Sequence, residues 1–461
     1  MTRLGHHYAS MNRRVPGYSL ALFRICFGLV GFLSAARVVL NGWVQTLYLE
    51  PSHHFKYLGF EWVSVPSAEV LYGMYALLAL ASIAVAAGAF FRYAMPTFFL
   101  VFTYLELMDQ TYYLNHYYFI SLCAFLMCFM PMNKVWSVDA LRNPSEDTSV
   151  GQWSIETLRV QFVMLYFFAG LAKLNPDWLL HAEPLRTWLL ARTETPLIGP
   201  LLGAQWVAFA GSYAACIFDL SIGFLLFSKR TRAVAYATVI FFHLGTALLF
   251  NIGLFPWVMI ALTPIFFAPD WPLKALKKSS SLVNPIEDRI SIPRWGYGLL
   301  GLYFLIQIAL PLRHHTIDND VLWSEDGYLF SWRVMLTEKT GVTDFYAAHP
   351  ETGKRWLLPT CDLLTPVQKR KMSSNPDFIV QTAHWLHEGL KAQGLGEAAI
   401  YAESFASLNG KLSQRMIDPR IDLARVDRSW GKSHWVLPVD PTPEQSPIMS
   451  FNGDSTIAIA R

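Results

Sequence analysis

Charge is scarce in this chain. Only 15% of its 461 residues are Asp, Glu, Lys or Arg, where soluble proteins carry about a quarter. The shortage falls in the first two-thirds, where short polar loops separate long apolar runs, and it excludes an ordinary soluble fold there. Cysteine is also sparse: Cys26, Cys123, Cys128, Cys216 and Cys361 are scattered, with no Cys-x-x-Cys pair. Neither a zinc site nor a disulfide framework is indicated. The doublets His6–His7, His53–His54 and His314–His315 lack metal-site spacing. A net charge of +3 is too small to argue for nucleic acid. Internal repeats and low-complexity tracts are lacking. No cleavable leader is expected, because the N-terminus is polar and the first apolar run is too long for one.

What is present in quantity is apolar surface: 53% of residues are hydrophobic and 15% aromatic. Runs of about 20 apolar residues cross a bilayer core as helices. About nine such segments are expected, near 17–40, 67–91, 93–110, 115–131, 153–173, 203–227, 232–250, 252–268 and 292–312. The fold class is therefore an α-helical polytopic membrane domain over residues 1–312. A soluble, mainly β domain follows over 313–461, giving α+β overall.

Basic residues set the expected orientation. Arg3, Arg13 and Arg14 precede the first span, and alternate loops carry Arg92, then Lys134 and Arg142, then Lys229, Arg230 and Arg232. Lys274, Lys277, Lys278, Arg289 and Arg294 complete that side. The other side holds chiefly Lys56, Arg186 and Arg192. A cytoplasmic N-terminus and an extracytoplasmic C-terminal domain follow.

In that domain Tyr328–Leu336 alternates like a strand, and the stretch from Thr343 to Pro359 reads as a hairpin turning at Glu351–Lys354. Residues 376–393 have helical spacing ending near Gly394, and Ala398–Lys411 reads as another strand.

Charges inside spans are costly and need a partner or a purpose. Arg24 and Asp219 fall at similar depth from the inner face, so a structural ion pair between them is expected. A second group gathers at the outer ends of four spans: Asp109, Asn115, His116, Lys173 and His243. Taken singly, Lys173 can snorkel to the headgroups and each histidine can be a hydrogen-bonded core residue. Together they suggest a pocket, in which desolvation would leave Lys173 a neutral amine able to act as a base. This convergence names no reaction.

The segments themselves resemble a known family. Gln161–Leu179 ("QFVMLYFFAGLAKLNPDWL") and Leu107–Phe119 ("LMDQTYYLNHYYF") are similar to the catalytic stretches of the vitamin K-dependent γ-glutamyl carboxylases, whose bacterial-type members carry the HTTM membrane domain. Leu20–Gly28, Met130–Leu141, Phe218–Phe227 and Phe241–Pro272 continue the likeness. Leu310–His315, Trp323–Leu336, Ser413–Leu423 and Ser433–Asp440 extend it through the C-terminal domain. The resemblance implies an integral-membrane enzyme that couples O2-dependent epoxidation of a reduced naphthoquinone, vitamin K or menaquinone, to CO2 addition at a protein glutamate. No metal is implied.

In that scheme Lys173 deprotonates the hydroquinone, Asn115 and His243 help hold it, and His116 stands by the glutamate carbanion. His314, Trp323, Tyr328 and Trp332 would wall the acceptor, the alternative being ordinary packing of aromatics at an interface. The expected partners are a glutamate-containing peptide or protein, lipid and quinone. The chain departs from animal members at Ala172, where they have lysine, and at Thr337 and Lys339, where they have His and Arg. "SWRVM" at Ser331–Met335 stands for their "SWDMM". These changes leave open a related quinone or O2 chemistry on another acceptor. A non-enzymatic lipid-binding or transport protein is the remaining alternative, and it would spread polar groups through the membrane depth.

Overall fold

The computed structural model describes residues 11–278, 292–349, 351–360 and 363–440. Arg3, His6–His7, Arg289 and Cys361, named above, lie outside the described residues. Helices occupy all nine expected positions: α1 (Tyr18–Leu40), α2 (Ala68–Ala87), α3 (Phe91–Leu107), α4 (Asn115–Met127), α5 (Gln152–Ala172), α6 (Gln205–Phe227), α7 (Arg232–Leu249), α8 (Phe255–Leu262) and α9 (Arg294–Leu312).

The nine differ in their capacity to cross a membrane. Six helices among the described residues are long and apolar enough to span: α1, α2, α5, α6, α7 and α9. At 1.5 Å per residue, 13-residue α4 reaches about 20 Å, and α8 less. Neither covers a hydrocarbon core of roughly 30 Å alone.

The bundle is closed by tight approaches. At Gly28 of α1 a Cβ would come within 2.5 Å of the Ala86 backbone nitrogen on α2. Gly88 ends α2 in the left-handed conformation (φ +62°), and a Cβ there would strike the Arg24 guanidinium. A short ribbon of β1 (Arg14–Pro16) and β2 (Ser149–Gly151) ties the start of α1 to the start of α5.

The C-terminal part is evenly mixed rather than mainly β. A four-stranded antiparallel sheet has the order β4 (Arg355–Leu358), β3 (Lys339–Ala348), β5 (Ala399–Leu408), β6 (Gln414–Arg415). Alternate residues Ile400, Ala402, Ala406 and Leu408 of β5 face inward, toward Phe378, Ile379 and Ala383 of a covering helix. Helix α10 (Pro366–Met372) precedes that helix, α11 (Pro376–Ala392), whose start is capped by Asn375 (Oδ1 accepts from Phe378 N, 3.0 Å). The β3–β4 hairpin and a left-handed Gly394 (φ +80°) fall where the sequence placed them.

Tyr328–Leu336 is not a strand. Phe330, Trp332 and Met335 adopt positive φ (58°, 58° and 53°), incompatible with a ladder. The alternation has another cause: Trp332 belongs to the bundle core, while Ser331 and Arg333 border a cavity. Phe330 packs between Tyr57, Tyr113 and Tyr118. The segment is a plug joining the two parts of the chain.

Candidate active site

Arg24 and Asp219 do not pair. Arg24 donates to the carbonyls of Val85 (3.3 Å), in the last turn of α2, and of Trp136 (2.6 Å), in the stretch after α4. Val85 O also accepts from Gly88 N (3.0 Å), so the guanidinium adds a second donor at a helix end, where carbonyls run short of partners. Asp219 instead accepts from Lys173 Nζ at 2.8 Å, and both side chains are buried. Lys173 caps the end of α5, also approaches Ala169 O (3.4 Å) and lies over the Trp178 ring. It does not snorkel. The solitary neutral amine expected from sequence is replaced by an ion pair, because helix α6 brings a carboxylate against the end of α5. To act as a base, this nitrogen must first pass a proton to Asp219 or beyond.

His243 on α7 is buried with Nε2 3.0 Å from Tyr166 Oη, while Nδ1 has no hydrogen-bond partner among the described residues. Its ring meets Phe255 edge-on at 5.6 Å, and Phe255 lies 5.5 Å from the His116 ring. Tyr166, His243, Phe255 and His116 thus form a continuous packed row.

Asn115 and His116 open α4 because Leu114 is extended before the helix begins. Asn115 accepts from Tyr113 Oη (3.1 Å) and donates to Arg333 O (3.2 Å). Tyr113 Oη accepts from Phe330 N (3.0 Å), and Tyr328 Oη donates to Arg333 O (3.2 Å). The strained plug is therefore held by the residues beside the Asn-His pair. Burial pushes the Tyr113 and Tyr328 hydroxyls above their ordinary range, so both stay protonated donors at neutral pH.

Two cavities flank this plug. One, about 870 Å³, is bordered by Asn115, His116, Phe255, Tyr328 and Arg333. The other, about 930 Å³, is bordered by Ala172, Leu174, His314, Ser331 and Arg333. Residues adjoining Lys173 thus face one cavity and the Asn-His pair the other, with Arg333 common to both. Of the expected acceptor wall, only Tyr328 stands with the Asn-His pair. His314 borders the neighbouring cavity, its Nδ1 2.8 Å from Pro311 O. Trp323 is in the C-terminal core, its Nε1 donating to Leu437 O (2.8 Å). Trp332 is fully buried against Tyr118 and Phe119. For these two tryptophans the packing alternative holds. They are buried because each fills an apolar core.

Asp109 was grouped with the pocket by depth but serves as a latch. It accepts from His54 Nδ1 (3.0 Å), Thr111 N (2.8 Å) and Gln368 Nε2 (3.3 Å). Gln368 also donates to His53 O (2.7 Å), fastening α10 to the loop after α1. Tyr166 and Arg333 escaped the sequence reading as site residues. A Tyr one helical repeat before Lys173 carries no special signal, whereas the Arg in "SWRVM" was visible as a departure.

A bundle with ionisable groups gathered at one end, roofed by a small α/β unit, defines a membrane protein of the HTTM domain class, whose family signature matches residues 12–271. The lumenal domain of vitamin K-dependent gamma-carboxylase matches residues 293–442. The chain belongs to the gamma-carboxylase family and is a multi-pass membrane protein. No solved structure matches it.

Proposed function

We propose that this chain is a vitamin K-dependent carboxylase-like membrane enzyme acting on glutamate in a peptide or protein, with its site at the extracytoplasmic face and its N-terminus in the cytoplasm. The observation that carries the reading is the cavity shared by Asn115, His116 and the plug residues Tyr328 and Arg333. The residues suit a reduced naphthoquinone: apolar Leu114, Leu165, Ile252 and Phe255 border the cavity beside the Asn115 amide. With O2, such a quinol supplies a base strong enough for a carbon acid far beyond any side chain.

Lys173 accepts the quinol proton after handing its own to Asp219, which also fixes the nitrogen. Asn115 donates toward a quinol oxygen, releasing its bond to Arg333 O to do so. His116, whose ring makes no hydrogen bond among the described residues, is free to donate to the acceptor carbon or its carboxylate. His243 positions the row through Tyr166. The apolar surroundings keep water from quenching the strong base.

The test uses purified protein with reduced menaquinone, O2, labelled bicarbonate and a glutamyl peptide. Epoxide and labelled peptide are expected together, and Lys173→Ala loses both. Epoxide without label would reject the acceptor, and epoxidation surviving Lys173→Ala would reject the base.

A further inference from the structure

We infer that Arg333 is the carboxylate-binding residue of the cavity and selects an acidic acceptor side chain; this rests on the reading above, in which that cavity takes a glutamyl peptide. Three arginines are buried among the described residues: Arg24, Arg159 and Arg333. Two are saturated. Arg24 holds two backbone carbonyls, and Arg159 holds the carbonyls of Ile265, Phe266 and Phe267 together with Glu156. Arg333 is only 6% exposed, yet its Nε has no hydrogen-bond partner among the described residues. No salt bridge or side-chain hydrogen bond engages the rest of its guanidinium there either. A buried charge is retained without a partner only where something else supplies one.

The carboxylates nearby are not available to it. Glu325 is held by Lys339 (3.0 Å) and Asn375 (2.5 Å), and Asp177 by Lys411 (2.9 Å) and Asn409 (3.0 Å). Asp320 acts on Arg333 through its field without contact, and its Oδ1 accepts from Leu322 N (2.8 Å). Arg313 adds positive field from the end of α9. An entering anion therefore meets a guanidinium that no carboxylate contacts among the described residues.

Placement points to the acceptor. The Arg333 carbonyl is gripped by Asn115 and Tyr328, and its neighbour Trp332 is sunk in the bundle core. Backbone strain and packing thus hold this guanidinium on the wall that carries the Asn-His pair. One planar fork with one positive charge matches one carboxylate bidentately. A phosphate would call for further free donors. A guanidinium on the glutamyl carboxylate would also oppose the negative charge that builds there when the adjacent carbon loses its proton.

The experiment measures binding of a short blocked glutamyl peptide, and of its glutaminyl counterpart, to the full chain in nanodiscs without quinol. Wild type should prefer the glutamyl peptide by about tenfold or more, the scale of a charge-assisted hydrogen bond. Arg333→Gln should abolish the preference, and Arg333→Lys should keep part of it. A purely structural arginine would lower the thermal midpoint on conversion to Gln; here the midpoint should hold or rise. Equal binding of both peptides by wild type, or a preference that survives Arg333→Gln, overturns the assignment. If Arg333→Gln changes only the bicarbonate concentration required for labelling, the anion is bicarbonate and the glutamyl assignment falls. Preference without label incorporation would keep Arg333 as the carboxylate site and overturn the carboxylase reading alone.

Discussion

Asp219 Oδ2 and Lys173 Nζ lie 2.8 Å apart in a part of the molecule where neither side chain reaches solvent. Such a pair is costly to break from one side, since the survivor keeps its charge without compensation. Asp219→Asn should cost about 3–5 kcal/mol, and Lys173→Met a similar amount. The double variant Lys173→Met, Asp219→Leu should recover most of that loss. Denaturant titration in a fixed detergent reads the cycle, and additive single effects would show that the two groups do not interact.

Asn115 is expected to fasten the plug as well as face the cavity. Asn115→Ala removes two hydrogen bonds and leaves Arg333 O supported by Tyr328 alone. The loss should be about 1–3 kcal/mol. Amide exchange across residues 328–337 should rise while the β3–β5 ladder stays protected. Unchanged exchange in the plug would contradict the role.

Trp323 and Tyr328 should separate cleanly. Trp323→Ala empties a core position and should destabilise by about 3–5 kcal/mol. Tyr328→Phe removes one hydroxyl from the cavity wall and should cost about 1 kcal/mol. Only the second should raise the acceptor concentration for half-maximal rate at temperatures where both proteins are folded. A steady-state comparison with thermal melts decides it.

Acid should weaken the seat of the C-terminal domain through His53. Burial pushes its imidazole down to about 4, with His54 and Lys56 adding to the fall and Asp109 opposing it. The ring stacks on Trp385 at 4.7 Å and meets Phe55 edge-on. A histidine lowered in the folded state is bound by more protons when unfolded, so stability falls as pH drops from about 6.5 to about 4. His53→Phe should flatten that part of a stability profile measured from pH 7 to 4. An unchanged slope would locate the acid sensitivity elsewhere.

The helices were legible because a 20-residue apolar run has few other solutions, and α11 because its helical spacing stops at Gly394. The Asn-His pair was legible from its motif and its place at a span end. Partner choice was not. Arg24 and Asp219 share a depth in sequence, but depth says nothing of which face of a helix meets which neighbour, and Lys173 was nearer. Tyr328–Leu336 misled for a related reason: period-two alternation reports two environments, and here those are a bundle core and a cavity wall rather than two faces of a sheet. The tryptophans at 323 and 332 fill cores that exist only once both halves have met.

The borders of the cavity beside the Asn-His pair include Trp43, just beyond the first helix, and Phe378, on the last one. A nascent chain emerging from the ribosome thus has no pocket until nearly all of it has been delivered. The bundle alone would present an open socket around Tyr118 and Phe119, awaiting Trp332.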